Sequence, residues 1–478
     1  MKKSIIVGIL CLVSALFLDS CSQNEYNIIV TSDNPEWGRA TGSGSYLDGA
    51  EILLYAYAED GYRFAKWHDG NRENPRVVVV TKDETYSASF EVDPEYVPTY
   101  RGKISQNTTW PDRGLEVDYI IDGWIEVADN ALLTIEPGVT VKFIDYNSGI
   151  EVDENAGLNM VGTAEKHIKF IGESDNQANG SWDKIQLKSK RNENQWEYVD
   201  FIRGGVELNE WDAVIDLEGA QLSMKNCVVN GSRGCGIDVE GETMFTAFEN
   251  NTIKNCEDFP IVFEKMETVF SLSSNNNFTN NEENYVCIYA TYGILDDNQT
   301  LKNLGIPYYF VGDMTFLGTE TITIEPGTEM IFRDGKFFAV DTFIKIIANG
   351  TAFEPIIFRG ETSSTLWKGV EFRSREEGNI LNHCIFSEAG VSYNRLENSL
   401  LYIHGDAKMT LKNCTFENSK KYGVMIKNIS NWGNIIHSNN TFRNCYIANV
   451  RLEDEGEFGG ISYSEDNGNM ELDKLPGE

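Results

Sequence analysis

Apolar residues in this chain recur in short alternating runs, and none keeps a helical period for ten residues or more. Runs of alternating apolar and polar residues bounded by Gly and Asn predict strands and turns. In the first half of the chain their apolar centres are Val127, Val152, Leu187, Leu217, Val239, Phe263 and Ile288, 22 to 35 residues apart. In the second half they are Phe316, Val340, Phe372, Ile403, Ile426 and Val450, and the first five spacings follow the same order. Coils of this length with several short strands predict a β-solenoid, in which one rung cannot bury itself but a stack can. Twelve to thirteen rungs at strand spacing make a rod of about 60 Å.

The halves also share motifs. Ile135-Glu136-Pro137-Gly138 returns as Ile324-Glu325-Pro326-Gly327, and Gly162-Thr163-Ala164 as Gly350-Thr351-Ala352. Trp182 returns as Trp367, and Lys225-Asn226-Cys227 as Lys412-Asn413-Cys414. Asn255-Cys256 returns as Asn444-Cys445. This predicts an internal duplication, with a first copy over 96–304 and a second over 305–462. Asn suits a corner because it tolerates left-handed backbone and can bond to an Asn one rung away. The following Cys is expected to pack inward as a small apolar residue.

Residues 26–95 read differently. Strand-like runs Ile52 to Ala56 and Val77 to Val80 alternate with Gly38, Gly49, Gly61 and Gly70 at turns. The core Gly61-Tyr62-Arg63-Phe64 with Trp67 and the closing Ala88-Ser89-Phe90 resembles the divergent internalin-type B repeat, a small β-rich module of bacterial surface proteins. That resemblance implies a spacer or adhesion module. Tyr62, Phe64 and Trp67 are expected to form its core rather than a sugar platform.

Lys2 and Lys3 precede an apolar run from Ile5 to Leu18, which reads as a secretory leader too short for a comfortable membrane span. It ends at Leu18-Asp19-Ser20-Cys21, which resembles a bacterial lipobox, with Asp19 as the departure. The expectation is a signal peptide over 1–20 and a membrane anchor through lipidated Cys21 in the cell envelope. The formal net charge is −34. Such a surface disfavours nucleic acid and unaided polyuronate chains. Seven further Cys without close pairs predict neither a disulfide framework nor a zinc site. Residues 463–478 form an acidic C-terminal tail.

Leu133-Thr134-Ile135-Glu136-Pro137-Gly138, Gly162-Thr163-Ala164-Glu165 and Trp367-Lys368-Gly369-Val370 resemble right-handed parallel β-helix proteins related to pectate lyases, of the kind found in secreted proteins of Bacteroides-like bacteria. The resemblance implies an all-β fold and leaves function open, because the fold carries lyases, hydrolases and adhesins. The outward residues beside the first-copy centres form an acidic stripe. Asp216 and Asp238 are the catalytic candidates, and Glu218, Glu240, Glu151 and Asp153 are candidate ligand or Ca²⁺ groups. Like charges so stacked must be exposed, protonated or bridged by a cation. Trp182, Trp196, Trp211 and Trp367 are candidates to line a sugar groove, although duplication of Trp182 and Trp367 favours packing for those two. Without a recognisable catalytic set or required cofactor, the leading expectation is a non-enzymatic rod that binds or presents a polysaccharide or surface protein. A polysaccharide lyase or glycoside hydrolase is the alternative, and a plain spacer is third.

Overall fold

The computed structural model describes residues 24–173, 178–206, 211–364, 366–390, 399–427, 434–453 and 461–463. The leader, Cys21 and residues 464–478 of the expected tail lie outside the described residues. The described residues divide into two compact units, one up to residue 98 and one from residue 99 onward.

In the first unit, Glu25–Ser32 pairs antiparallel with Gly44–Leu47 and parallel with Glu84–Val92, which pairs with Tyr62–Trp67. A second sheet joins Gly38–Thr41, Glu51–Ala58 and Arg76–Val79. Ile28, Val30, Leu54, Tyr86 and Phe90 meet around a fully buried Trp67. Phe64 packs on that core, and Tyr62 stacks on Trp37 at 5.0 Å. Tyr62, Phe64 and Trp67 therefore serve packing, as the size of the module requires.

The second unit is a parallel β-solenoid of about 13 turns. Three faces alternate along each turn. Sheet A stacks Gly149–Val152, Ile185–Leu187, Ala213–Glu218, Cys235–Glu240, Ile261–Phe263 and Val286–Ile288. Sheet B follows in each turn, with strands such as Gln221–Lys225 and Met244–Glu249, and sheet C comes next, with strands such as Val228–Ser232 and Thr252–Lys254. The predicted centres form one buried column, with Val127, Val152, Leu187, Leu217, Val239, Phe263 and Ile288 each opposite the next. The second-copy column runs Phe316, Val340, Phe372, Ile403 and Ile426, but its next member is Leu452. Val450 lies opposite Val424 instead. Both residues alternate inward, so the pattern alone does not separate them.

The two columns do not join. Ile288 continues to Phe310 and Phe332, which belong to the strand set equivalent to sheet C of the first copy. The second copy is thus turned by one face. Its aromatic column shows the same shift. Phe170 and Phe201 stack in sheet C at 5.4 Å, whereas their counterparts Phe358 and Phe386 stack in sheet A at 4.9 Å. Sheet A alone runs unbroken through the junction. In sheet B a four-residue helix, α1 (Met266–Val269), replaces a strand, with Met266 and Val269 buried. The sequence pattern did not predict α1, because one helical turn is too short to show a period.

Corners follow expectation. Asn226, Asn255, Asn413 and Asn444 have φ of 54°, 59°, 52° and 52°. Asn439, Asn413, Asn382 and Asn349 form a side-chain ladder with bonds of 3.3, 2.9 and 2.8 Å. Cys227, Cys256 and Cys414 are buried. Cys445 is only half-buried, because its corner adjoins the last strand of sheet A among the described residues.

Candidate functional site

Inward residues of sheet A are fixed by the column, so their neighbours point out. In Ala213–Glu218 and Cys235–Glu240 this places Asp216 opposite Asp238 and Glu218 opposite Glu240. In the preceding strands it places Glu151 opposite Gln186, and Gln186 opposite Asp216. The structure therefore brings Glu151, Asp216, Glu218, Asp238 and Glu240 onto one face. Asp153 stands at the corner after its strand, where its backbone N–H donates to Val127 O. Burial, then the charges of Glu126 and Glu151, raise its pKa.

The stripe is bridged, and the bridging cations are lysines. Lys184 Nζ lies 3.3 Å from Asp212 Oδ1 and 3.4 Å from Asp216 Oδ2, and Gln186 Nε2 donates to the same Asp216 oxygen at 3.1 Å. Lys188 Nζ contacts Glu151 at 2.7 Å and Glu218 at 3.7 Å. Among the described residues no set of three or more His, Cys, Asp or Glu side chains is arranged to hold a metal ion. At Glu151, Asp212, Asp216 and Glu218 the ammonium groups offset the charge that a bridging cation would offset.

Compensation is incomplete around Asp238. Its side chain is buried, and Oδ1 has no hydrogen-bond partner among the described residues. Burial first, then Glu240 and Asp216, push its pKa up to about 8, so it is mostly protonated at neutral pH. Asp183 rises to about 6 through burial. Asp216 is also raised by burial, against the opposing pull of Lys184 and Gln186. Burial opposes the charge on Lys184, but Asp216, Asp212 and Asp183 together hold its pKa above the usual value. Beyond Asp238 the outward face turns apolar. Val262 and Cys287 are covered by Phe259, Trp211, Tyr285, Tyr289 and Tyr309, with Trp211 and Tyr289 stacked at 5.6 Å.

At the other end of the stripe lies Trp124, opposite Gly149 in the next strand. A Cβ on Gly149 would come within 2.8 Å of the indole, so the missing side chain lets the ring lie across the sheet. Trp124, Glu151, Asp183, Lys184 and Gln186 line a recess of about 460 Å³. Sequence reasoning passed over Trp124, Lys184, Asp183 and Asp212 because it followed acids beside strand centres. The outward parity of Trp124, Lys184 and Gln186 was the available signal.

Among the other tryptophans, Trp182 and Trp367 pack as their duplication implies, and Trp196 corrects the sugar-groove expectation. Trp182, Trp196 and Trp367 are buried, and their indole N–H groups donate to Ile202 O, Leu158 O and Ser387 O. Trp211 alone of the four is on the outer surface. The second-copy positions equivalent to the stripe lie on a different face because of the turn at the junction. There Glu371, opposite Tyr402, pairs with Arg373 at 2.6 Å and His404 at 2.7 Å. Burial opposes its charge, but His404 and Arg373 bring its pKa down to about 2.

No curated protein and no solved structure matches the chain. Residues 28–94 match the family model for the divergent InlB B-repeat domain, and residues 341–473 match that for the right handed beta helix region, so the chain joins a B-repeat module to a right-handed parallel β-helix.

Proposed function

We propose that this protein is an envelope-anchored rod that binds a glycan on the outer surface of sheet A, without turning it over. The observation that carries the reading is the Trp124 indole laid over Gly149 beside Glu151, Asp183, Lys184 and Gln186. A sugar ring offers an apolar C–H face and hydroxyls that donate and accept. The recess supplies an aromatic plane, carboxylate acceptors, and amide and ammonium donors. The surrounding carboxylates favour neutral or amino-bearing sugars over uronates. The anchor is assigned to Cys21, and mass spectrometry of the mature N-terminus tests it; an unmodified Cys21 would sink that part.

A glycan panel on the purified chain, with and without Ca²⁺, tests the binding. The expected result is saturable binding of a neutral or amino glycan, unchanged by Ca²⁺, that weakens about tenfold in Trp124→Ala. Binding indifferent to Trp124→Ala and Gln186→Ala would overturn the site.

One observation favours catalysis as the second reading. Asp216 and Asp238 are one rung apart, about 4.8 Å, and their surroundings separate a lysine-held carboxylate from a protonated acid. The burial of Asp238 ranks this reading second. Product release that disappears in Asp216→Asn while binding persists would reverse the order.

A further inference from the structure

The junction between the copies leaves a gap in sheet B. Among the described residues, Met244–Glu249 ends the first-copy sheet and Tyr292–Leu295 begins the next. Between them sits α1 instead of a strand. Its buried residues sink into the core, and a Cβ on Gly293 would sit tightly against the Met266 side chain, at 3.0 Å. Outside α1 this leaves a groove of about 800 Å³. Met244, Tyr292 and Ile294 line it and are each about half exposed.

On the edge of Tyr292–Leu295 that faces the groove, one side chain takes the place of a strand. The Ile294 backbone N–H donates to Glu267 Oε1 at 2.6 Å. On the opposite side the Thr268 hydroxyl donates to Thr243 O at 2.7 Å. A carboxylate on a strand edge satisfies the donor and keeps casual strands away. It also marks the place where a backbone carbonyl fits. The rim is acidic, with Glu242, Glu264, Glu267 and Asp296, and its one lysine, Lys265, is already paired with Glu242.

We propose that this groove accepts an extended basic peptide segment of a partner protein, added as a strand along Tyr292–Leu295. The peptide carbonyl replaces Glu267 at the Ile294 N–H. Alternate apolar side chains lie against Met244, Tyr292 and Ile294, and lysines or arginines face the rim and the released Glu267. The groove lies away from the Trp124 recess, so this inference does not depend on the glycan reading.

The test uses the purified full chain at physiological salt and a fluorescent octapeptide alternating valine and lysine. Saturable binding is expected. An analogue N-methylated at alternate residues keeps the charge but not the strand bonds, and it should bind about tenfold more weakly. A similar loss is expected in the Met244→Ser, Ile294→Ser double variant, with its thermal unfolding unchanged. Equal binding of the methylated analogue would mean adsorption to an acidic surface and would overturn the proposal. So would binding unaffected by the double variant. Self-association in Glu267→Ala without peptide binding would assign the edge to a second copy of this chain and overturn it as well.

Discussion

Trp182 and Trp367 hold matched places in the two copies, and so do Asp238 and Met425. The tryptophans are alike in every respect that matters to packing. Trp182 stacks on Phe143 at 4.5 Å and Trp367 on Phe332 at 4.4 Å, and each indole donates to a backbone carbonyl. The other pair has diverged completely, from a buried acid in one copy to a methionine in the other. The interior is bound by volume, because each rung must fit the one below. The outward positions of sheet A and its counterpart need not fit the rung below, even where other side chains cover them, so chemistry can accumulate there in one copy and not in the other.

The firmest way to break this comparison is at its matched residues. Trp182→Ala and Trp367→Ala should each cost about 3–5 kcal/mol, by the loss of a large buried ring. Urea unfolding monitored by circular dichroism should show similar midpoint shifts. A large shift for one and almost none for the other would mean that the copies are not structurally equivalent.

The diverged faces should respond oppositely to pH. Asp238 binds its proton more tightly when folded, so its penalty on the fold is absent below about 4 and grows as pH rises to about 8. Asp238→Asn should remove that decline, which amounts to a few kcal/mol at most. Glu371 has the reverse sign. Its favourable contribution is present above the ordinary carboxylate range and is lost as pH falls towards about 2. Glu371→Gln should therefore weaken the protein at neutral pH and flatten the acid limb of its stability curve. Melting temperatures between pH 3 and 9 check both, and parallel responses would refute the assignment.

The corners give a smaller effect. Asn226→Ala and Asn413→Ala leave the backbone left-handed but remove the side-chain amide that lets Asn tolerate it, at about 1–2 kcal/mol each. Asn413 should sit at the higher end, since it also links Asn382 to Asn439, whereas Asn226 reaches Glu197. The smallest change in stability is expected for Trp124→Ala, within about 1 kcal/mol, because the ring is only half-buried. Its effect should appear in glycan affinity instead. At the matched place in the second copy the sizes are reversed, with Asp313 bonded to the backbone N–H of Phe337, and Phe337→Ala should leave that affinity unchanged.

Much of the rod was legible from one inward residue per rung. The column from Val127 to Ile288 could be read because burial imposes the same demand at each turn. The turn of the second copy could not be read. Coil lengths of 22 to 35 residues do not say on which face a copy starts, and α1 shows only Met266 and Val269 as apolar signals. The acid stripe was visible as composition, but its lysine bridges were not. Lys184 and Lys188 meet Asp216 and Glu151 across rungs, at separations the sequence does not mark.

The unbroken sheet A and the one-face turn have a consequence for how the rod meets its surroundings. A duplication in phase would have shown one surface twice, side by side, to a single neighbour. Here the surface descended from the acidic stripe reappears around the corner, facing elsewhere. One rod can thus address two neighbours in different directions, and each face is free to specialise without competing with its twin for the same space.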